Sequence, residues 1–325
     1  MSDISNFVNY SKYVGESPRH VQGGGGNTSI KLDKEWMIIK ASGTFLKDMY
    51  EARPGVKVNY KRINEALNDF LPVNQENEDA LNRLTDRSTD AEFSGKGKAS
   101  IETSVHGIIP KKYVVHTHFV DINIFSTSVG GKEKLKAIWP EELPFGWIPY
   151  VSPGLGLTLE IASHYPDPQE IPTIMIFENH GIIFSGESLE EIEALYVKVR
   201  ELCDQFLAEN KVSAFEFQPL ESRAARLFPE NYLNSLMYQD KLQKHLFPDS
   251  VVFGQSLGFK VNATEITFQS TSDRKNQSVW ENLCSVNYLL YAHEALGWES
   301  KWLKRSDEKY ILNMGREKHR IKINK

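Results

Sequence analysis

Apolar residues recur at helical spacing in several segments of this 325-residue chain. The clearest pattern covers residues 189–209, where Ser188 and Glu191 form a capping box ahead of the apolar positions. Those positions are Ile192, Leu195, Val199, Leu202, Cys203 and Phe206. The pattern predicts further helices over residues 3–20, 59–71 and 279–296, and a short one over "IETSVHGIIP" with Ser100 as its N-cap.

Short runs rich in β-branched residues predict the strands. "TSIKL" and "WMIIKAS" flank the turn "DKEW", and "KYVVHTHF" follows later in the chain. "IPTIMIFENHGIIFSG" is typical of two strands joined by the turn "ENHG". Near the end of the chain, "SVVFGQ" and "EITFQ" are two more candidate strands.

The polar and Pro/Gly-rich stretches predict where the elements are interrupted. Residues 73–100 suggest a surface excursion with one short helix, and residues 139–156 suggest a loop or lid. The composition shifts after Lys211, where "KVSAFEFQPLES" resembles a linker. We therefore expect a catalytic domain over residues 1–212 and a C-terminal α/β extension over 213–325. The basic end, "GREKHRIKINK", is interpreted as a solvated tail.

Composition excludes several classes of partner. The net charge is −5 and the isoelectric point about 6.0, so the overall charge does not favour nucleic acid. The sequence has neither an apolar run long enough to cross a bilayer nor a leader pattern at its start. Two cysteines make no disulfide framework, and Cys203 is predicted to be a buried, inert thiol. We expect a cytoplasmic protein acting on a small molecule.

Three histidines are candidate metal ligands. His116 and His118 in "VVHTHF" are two residues apart on a predicted strand, so both rings project to the same face. His180 lies in the tight turn "ENHG". Two surface histidines on an edge strand would give the same H-x-H pattern. The core-strand residues beside these histidines favour a metal, and three histidines with an open fourth position describe a catalytic zinc site.

Glu102 leads the predicted helix that precedes the His-x-His strand. Beside a metal it would serve as a ligand or a general base. Local sequence by itself favours a plainer interpretation, a first-turn carboxylate stabilised by the helix dipole. His106 lies four residues on, on the same helical face, and is interpreted as a structural histidine.

The stretch "GGGGNTSIK" matches neither the Rossmann nor the Walker glycine pattern. A glycine run followed by Asn and hydroxyl residues can still bind an anion with its backbone N–H groups. "ASGT", residues 41–44, is a second loop of small residues, and "KASIE" brings Lys98 and Ser100 close to Glu102. If these loops converge, they form a phosphate pocket beside the metal.

The order of these motifs resembles the class II aldolase/adducin family from Val21 to Lys211. The motifs "GGGGNTSIK", "KASIETSVH" and "IPYVSPG" are most similar to those of the rhamnulose-phosphate-aldolase-like branch, whose members occur alone or fused to a dehydrogenase. The resemblance implies a three-layer α/β/α domain around a mostly antiparallel sheet, in a homotetramer. It also implies a divalent metal, usually Zn²⁺ with Mn²⁺ as the alternative. The matching positions are His116, His118 and His180 for the metal, Glu102 for catalysis, and Gly26, Asn27, Ser42, Gly43 and Ser100 for the phosphate.

The function implied by this resemblance is a metal-dependent lyase. Such an enzyme cleaves a ketose 1-phosphate to dihydroxyacetone phosphate and an aldehyde through a metal-stabilised enediolate, with Glu102 shuttling the proton. A sugar-phosphate 4-epimerase or a dehydratase would use similar chemistry. A non-catalytic adducin-like scaffold is a further alternative, which retention of the three histidines and Glu102 disfavours.

The chain departs from the aldolase pattern in two places that bear on the substrate. Gly24 stands where the aldolases usually carry threonine, and Ile101 replaces a hydroxyl residue before Glu102. The pocket therefore offers fewer hydroxyl donors, which leaves a modified or unphosphorylated substrate open. Lys40 and Lys98 are candidates to compensate for the charge of an anion, although each is equally typical of a solvated lysine.

Overall fold

A seven-stranded mixed sheet forms the centre of the protein. The computed structural model describes residues 2–217, 219–220, 224–226, 244–255, 259–262, 265–268 and 270–318. The strands run in the order β3-β2-β1-β4-β7-β6-β5, and every neighbouring pair is antiparallel except β5 and β6. Their bounds are β1 Asn27–Lys31, β2 Trp36–Ile39, β3 Val56–Asn59, β4 Tyr113–Thr117, β5 Gly146–Ile148, β6 Ile174–Phe177 and β7 Gly181–Gly186.

Helices cover both faces of this sheet. The helices before residue 212 are α1 Asp3–Glu16, α2 Tyr60–Glu65, α3 Gln75–Arg87, α4 Ala91–Ser94, α5 Thr103–Ile108, α6 Val120–Ser126, α7 Gly131–Lys136, α8 Leu155–His164 and α9 Leu189–Glu209. Short 3₁₀ turns lie at residues 46–48, 67–70 and 168–170. On β4, Val115 joins the cluster that contains α1, α6 and α9, while Val114 joins the cluster of α5 and α8. This alternation is the period of two expected of a strand buried on both faces. The predicted three-layer α/β/α arrangement is confirmed.

The C-terminal region adds helices and a second, small sheet. Its elements are β8 Ala224–Arg226, α10 Pro248–Gln255, β9 Phe259–Asn262, β10 Glu265–Phe268, α11 Asp273–Ala295 and α12 Arg305–Asn313, with the strands in the order β8-β10-β9. Val212, Phe215, Phe247 and Trp280 belong to the same apolar cluster as α1 and α9. The core is therefore continuous across residue 212, and the proposed division into 1–212 and 213–325 stays a prediction.

Several elements follow the sequence pattern, and α9 does so most closely. It begins directly after Ser188, whose Oγ accepts the N–H of Glu191 at 3.2 Å. The carboxylate of Glu191 accepts the N–H of Glu187, at 2.8 Å, rather than that of the N-cap residue. The hairpins of β1 with β2 and of β6 with β7, and the strands β4 and β10, also lie where the β-branched runs predict them.

The prediction of a strand at "SVVFGQ" is wrong, because these residues belong to helix α10. Pro248 and Asp249 occupy its first turn, where a fixed φ and a negative charge both favour helix initiation. Val251, Val252 and Phe253 are buried on this helix. The β-branched composition of the run suggested a strand, but burial in the core determines the helix.

Other local predictions also need correction. The short helix α5 begins at Thr103 with Glu102 as its N-cap, so Ser100 is not the N-cap; its Oγ accepts the N–H of Glu102 at 3.3 Å. Residues 139–156 contain strand β5 and the start of α8, in addition to loop. Residues 73–100 contain the 13-residue helix α3, which buries Leu81.

The chain end is anchored rather than solvated over its described part. Arg316 and Glu317 are both buried, and Arg316 donates from Nε to Oδ1 of Asn82 at 3.1 Å. The remaining residues of the predicted tail, 319–325, lie outside the described residues. Across the described residues, no helix is both long enough and apolar enough to span a bilayer.

Candidate metal centre and cavity

The central strand β4 brings the first two histidines to the site. His116 pairs across the sheet with Asn27 of β1 on one side and with Ile183 of β7 on the other, and His118 follows the end of β4. His180 reaches the same place from the turn between β6 and β7. The three ring centroids lie 4.9–5.2 Å apart, and one ring nitrogen from each histidine lies within 4.8 Å of the others. All three side chains are buried.

The turn that carries His180 is held on two sides. Asn179 adopts a left-handed backbone conformation, with φ of 52°, which asparagine tolerates better than most residues. Its amide Nδ2 donates to the carbonyls of Leu246 at 2.7 Å and Lys301 at 2.6 Å, both in the C-terminal region. Asn123 donates to the carbonyl of His180 at 3.2 Å. The turn is thus fixed by contacts that its own sequence does not reveal.

Glu102 lies between two of the histidines. Its Oε2 is 3.5 Å from Nε2 of His116, and its Oε1 is 3.5 Å from Nε2 of His180. Nδ1 of His116 lies 3.1 Å from the carbonyl oxygen of Ile182, which as an acceptor keeps a proton on Nδ1 and leaves Nε2 basic. Asn27 donates from Nδ2 to Oε2 of Glu102 at 2.6 Å. The carboxylate is therefore oriented by a β1 side chain and directed at the histidines.

Burial shifts the pKa values of His116, His180 and Glu102. It lowers the pKa of His116 to about 4 and that of His180 to about 3, so both rings are neutral at pH 7. Burial raises the pKa of Glu102, but the adjacent His116 and His180 rings and the Asn27 amide outweigh this effect and lower it to about 2. At neutral pH a buried carboxylate thus lies beside the neutral imidazoles of His116 and His180, which are the protonation states that bind a divalent cation.

The polar atoms of this group fit a divalent metal. Among the described residues, Nε2 of His116 and Oε1 of Glu102 have no hydrogen-bond partner although they are buried. Buried polar atoms without partners are costly, and a cation would satisfy them. Zinc bonds of about 2.1 Å place two ligands of a tetrahedral ion about 3.4 Å apart, close to the observed nitrogen–oxygen separations. Three histidine nitrogens with an open fourth position are a donor set that Zn²⁺ accepts.

One cavity collects the remaining predicted site residues. Its lining includes Gly26, Asn27, Ser42, Gly43, Ser100, Glu102, His118 and His180, so the three small-residue loops converge as the sequence suggested. Gly26 has φ of +59°, and a Cβ there would lie 2.8 Å from the carbonyl oxygen of His116. Glycine at this position therefore permits the loop to pass directly over β4.

The first residue of the glycine run already binds a carboxylate from another part of the protein. The N–H of Gly23 donates to Oε2 of Glu281, on α11, at 2.5 Å. Lys40 is buried, lines the cavity, and donates from Nζ to the carbonyls of Gly24 at 2.7 Å and Thr44 at 2.9 Å. Lys98 is half-exposed and faces Asp86 at 3.7 Å, outside the residues that line the cavity.

Sequence reasoning missed the contribution of the C-terminal region. Pro248, Asp249 and Glu317 line the cavity, and Asp249 and Glu317 are buried there. The Pro-Asp pair at the start of α10 was a readable helix-start signal, but nothing local indicated that this helix would lie against the histidines. Of the predicted structural residues, His106 shares a 2.7 Å hydrogen bond with Ser29, and Cys203 is buried in the core.

The family of the chain follows from a comparison with known proteins. The model of the Class II Aldolase and Adducin N-terminal domain family matches residues 7–207, which is more than half of the chain. The chain belongs to this family. Its members are typically dependent on a divalent metal, in agreement with the buried histidine triad.

One solved structure agrees with this assignment at the level of the fold. The N-terminal class II aldolase domain of a conserved protein from Thermoplasma acidophilum superposes with a TM-score of 0.51 at 21% identity, over 63% of this chain and 94% of that domain. An L-fuculose 1-phosphate aldolase structure is 16% identical over 74% of this chain and 97% of its own, with a TM-score of 0.43.

One curated relative is a longer protein. The uncharacterized oxidoreductase YuxG of Bacillus subtilis (strain 168) is 26% identical over 231 residues, which is 67% of this chain and 32% of YuxG. The chain thus spans about a third of the length of that relative.

Proposed function

We propose that this protein is a metal-dependent aldolase that cleaves a ketose 1-phosphate to dihydroxyacetone phosphate and an aldehyde. The observation that carries the proposal is the position of Glu102, whose two carboxylate oxygens lie 3.5 Å from His116 and 3.5 Å from His180. Breaking a carbon–carbon bond next to a hydroxyl group requires at least a general base to take the hydroxyl proton and a metal beside it.

The residues of the chain divide the work as follows. His116, His118 and His180 would hold the metal, proposed to be Zn²⁺ with Mn²⁺ as the alternative, which when bound supplies Lewis-acid polarisation of the substrate carbonyl. Glu102 takes the hydroxyl proton of the substrate on one carboxylate oxygen and later returns it. Asn27 keeps that carboxylate oriented through its 2.6 Å hydrogen bond.

The phosphate is assigned to the small-residue loops that line the cavity. Gly26, Ser42, Gly43 and Ser100 line it, and hydroxyl and backbone N–H groups of such loops bind phosphate oxygens. In this proposal, Asn27 lines the same cavity but serves Glu102 through its amide nitrogen, so the phosphate depends on the other four residues.

The charges around the cavity favour a second candidate, the same cleavage of an unphosphorylated ketose. Glu102, Asp249 and Glu317 line the cavity, whereas Lys40 is its one lysine or arginine among the described residues. The Lys40 ammonium is already directed at the carbonyls of Gly24 and Thr44. Three carboxylates against one such lysine weaken the attraction for a phosphate dianion.

Related reactions remain alternatives within the same family. A 4-epimerase or a dehydratase would use the same base and metal, and an adducin-like scaffold would use neither. The name of YuxG is that of an oxidoreductase about twice as long, so no redox activity is proposed for this chain. We also propose a homo-oligomer, a tetramer by analogy with the family, to be measured by light scattering.

Metal binding is the first test. Purified protein should contain zinc or manganese, and chelated protein should regain stability when zinc is added. At a free zinc concentration 100 times the dissociation constant, the expected gain is about 2.7 kcal/mol, because a ligand that binds only the folded state stabilises it. If the purified protein contains no metal and added zinc does not stabilise it, the proposal of a metal-dependent enzyme is refuted and that of a non-catalytic, adducin-like scaffold is supported.

The substrate is tested by a screen. Ketose 1-phosphates, ketose 5-phosphates and unphosphorylated ketoses are incubated with the zinc- or manganese-loaded protein, and released aldehyde is measured. Cleavage of a 1-phosphate supports the first candidate, and cleavage of a free ketose alone supports the second. If the sugar is epimerised and no aldehyde is released, the protein is a 4-epimerase rather than an aldolase. If the sugar loses water and no aldehyde is released, it is a dehydratase.

A further inference from the structure

A carboxylate from the C-terminal region faces one histidine of the triad. Oδ2 of Asp249, in the first turn of α10, lies 3.4 Å from Nδ1 of His118. Both side chains are buried, with 2% of Asp249 and 3% of His118 exposed. The separation is just longer than that of an ordinary N–H···O hydrogen bond, and Nδ1 of His118 has no hydrogen-bond partner among the described residues.

The glycine run makes room for this pair. A Cβ added to Gly25 would lie 2.4 Å from Oδ2 of Asp249 and 2.8 Å from Nδ1 of His118. Any side chain at residue 25 would therefore separate the carboxylate from the ring. At the neighbouring Gly24 a Cβ would meet only ring carbons of Phe45, at 3.9 Å. The Cβ at residue 25 would also lie 2.9 Å from the carbonyl oxygen of Gln22, so glycine at residue 25 is required by the Asp249–His118 pair and by the loop backbone, whereas residue 24 has no such requirement.

We propose that Asp249 is a positioning residue for the metal centre. It accepts the Nδ1 proton of His118, which fixes the tautomer of the ring and presents Nε2 to the metal. A carboxylate behind a ligating histidine orients the ring and raises its basicity. One ring nitrogen from each of the three histidines lies within 4.8 Å of the others, and Asp249 does not belong to that group. The inference rests on the proposed function, since it requires that the triad binds a metal.

This assignment makes the metal centre depend on two parts of the chain. The histidines lie within the segment that the family model matches, residues 7–207, and Asp249 lies outside it. The segment alone would hold the ligands, while α10 would supply the group that orients one of them. A protein cut after α9 is accordingly expected to have a weaker metal site.

The first experiment measures zinc affinity by competition with a chromophoric chelator. Asp249→Asn should weaken zinc binding by about 10- to 100-fold, and Glu317→Gln, which alters another buried carboxylate of the same cavity, by less than about twofold. Equal losses in both variants would mean that only the charge of the cavity matters, and would overturn the proposal. Unchanged affinity in Asp249→Asn would overturn it too. Wild-type protein that binds no zinc would instead refute the proposed function.

A second pair of variants guards against simple misfolding of Asp249→Asn. Gly25→Ala should weaken zinc binding in the same direction as Asp249→Asn, while Gly24→Ala should leave it unchanged. Nitrogen-15 NMR of the zinc-loaded wild-type protein gives an independent readout. The proposal expects the proton of His118 on Nδ1 and the metal on Nε2. Metal on Nδ1, or unaltered affinity in Gly25→Ala, would overturn it.

Discussion

The two parts of the chain that enclose the cavity contribute different things to it. Asn27 and the three histidines lie on strands of the seven-stranded sheet or next to them, and Glu102 lies at the start of α5, where its carboxylate reaches His116 and His180. Asp249, Glu281 and Glu317 come from the helical C-terminal region and contact loops or a histidine ring. The sheet thus sets the positions of the reactive groups, and the helices hold those groups and the glycine loop in place.

The largest expected effect comes from removing a donor on the sheet. His116→Ala should lower zinc affinity by at least about 10³-fold and abolish activity, because a three-histidine site loses a ligand that no neighbour replaces. Zinc content and aldehyde release measure this. His164→Ala, at a half-exposed histidine on α8, is the matched control and should retain both properties. If His116→Ala retains tightly bound zinc, the three histidines are not the metal site that we propose.

The next effect separates chemistry from metal binding. Glu102→Gln should retain zinc but lose activity by about 10²- to 10⁴-fold, the usual contribution of a general base. The amide can still accept a hydrogen bond from Asn27, so the geometry of the site is preserved. Steady-state rates at saturating substrate and metal analysis measure the two properties, with Glu160→Gln on α8 as the control. Full turnover would exclude Glu102 as the base, and loss of zinc would make it a ligand.

The third effect tests the supporting role of the C-terminal region. Glu281 accepts hydrogen bonds at both oxygens, from Gly23 N–H at 2.5 Å and from Gln277 Nε2 at 2.7 Å. An amide can accept at only one side, so Glu281→Gln should lower the free energy of unfolding by about 1–3 kcal/mol. Denaturant unfolding measures it. Glu294→Gln, exposed on the same helix, should change it by less than about 0.5 kcal/mol. If the two variants lose similar amounts of unfolding free energy, the contact between Glu281 and Gly23 does not anchor the glycine loop.

The smallest effect concerns the boundary of the cavity. Lys98 faces Asp86 on the surface with 46% of its side chain exposed. Lys98→Ala should change the free energy of unfolding by less than about 0.5 kcal/mol, since exposed ion pairs contribute little. Its KM should equal that of the wild type. A marked rise in KM for a phosphorylated substrate, without a matching rise for the free sugar, would put Lys98 in contact with the phosphate.

Much of the sheet could be predicted from local pattern. β1, β2, β4, β6 and β7 follow runs of β-branched residues between turn signals, and α9 follows a helical period behind its N-cap. The strand β5 was missed because it contributes only three residues within a Pro- and Gly-rich stretch. The helix α10 was mistaken for a strand because a β-branched run of that length fits either element until its packing is known.

The sequence by itself determined the candidate donors and their order. The His-x-His spacing places two rings on one face of a strand, and the "ENHG" turn presents a third, because strand periodicity and turn geometry are local properties. Glu102 could not be chosen from its neighbours, which favoured a plain helix-start residue. Its contact with both His116 and His180 exists only in the folded sheet.

Tertiary structure alone decided what surrounds those donors. It directs the Asn27 amide to Glu102, gives the Gly23 N–H a carboxylate from residue 281, and brings Asp249 behind His118. Each of these contacts joins residues separated by 75 or more positions. Local propensity carries no information about such pairs, because only the packing of helices on the sheet brings them together.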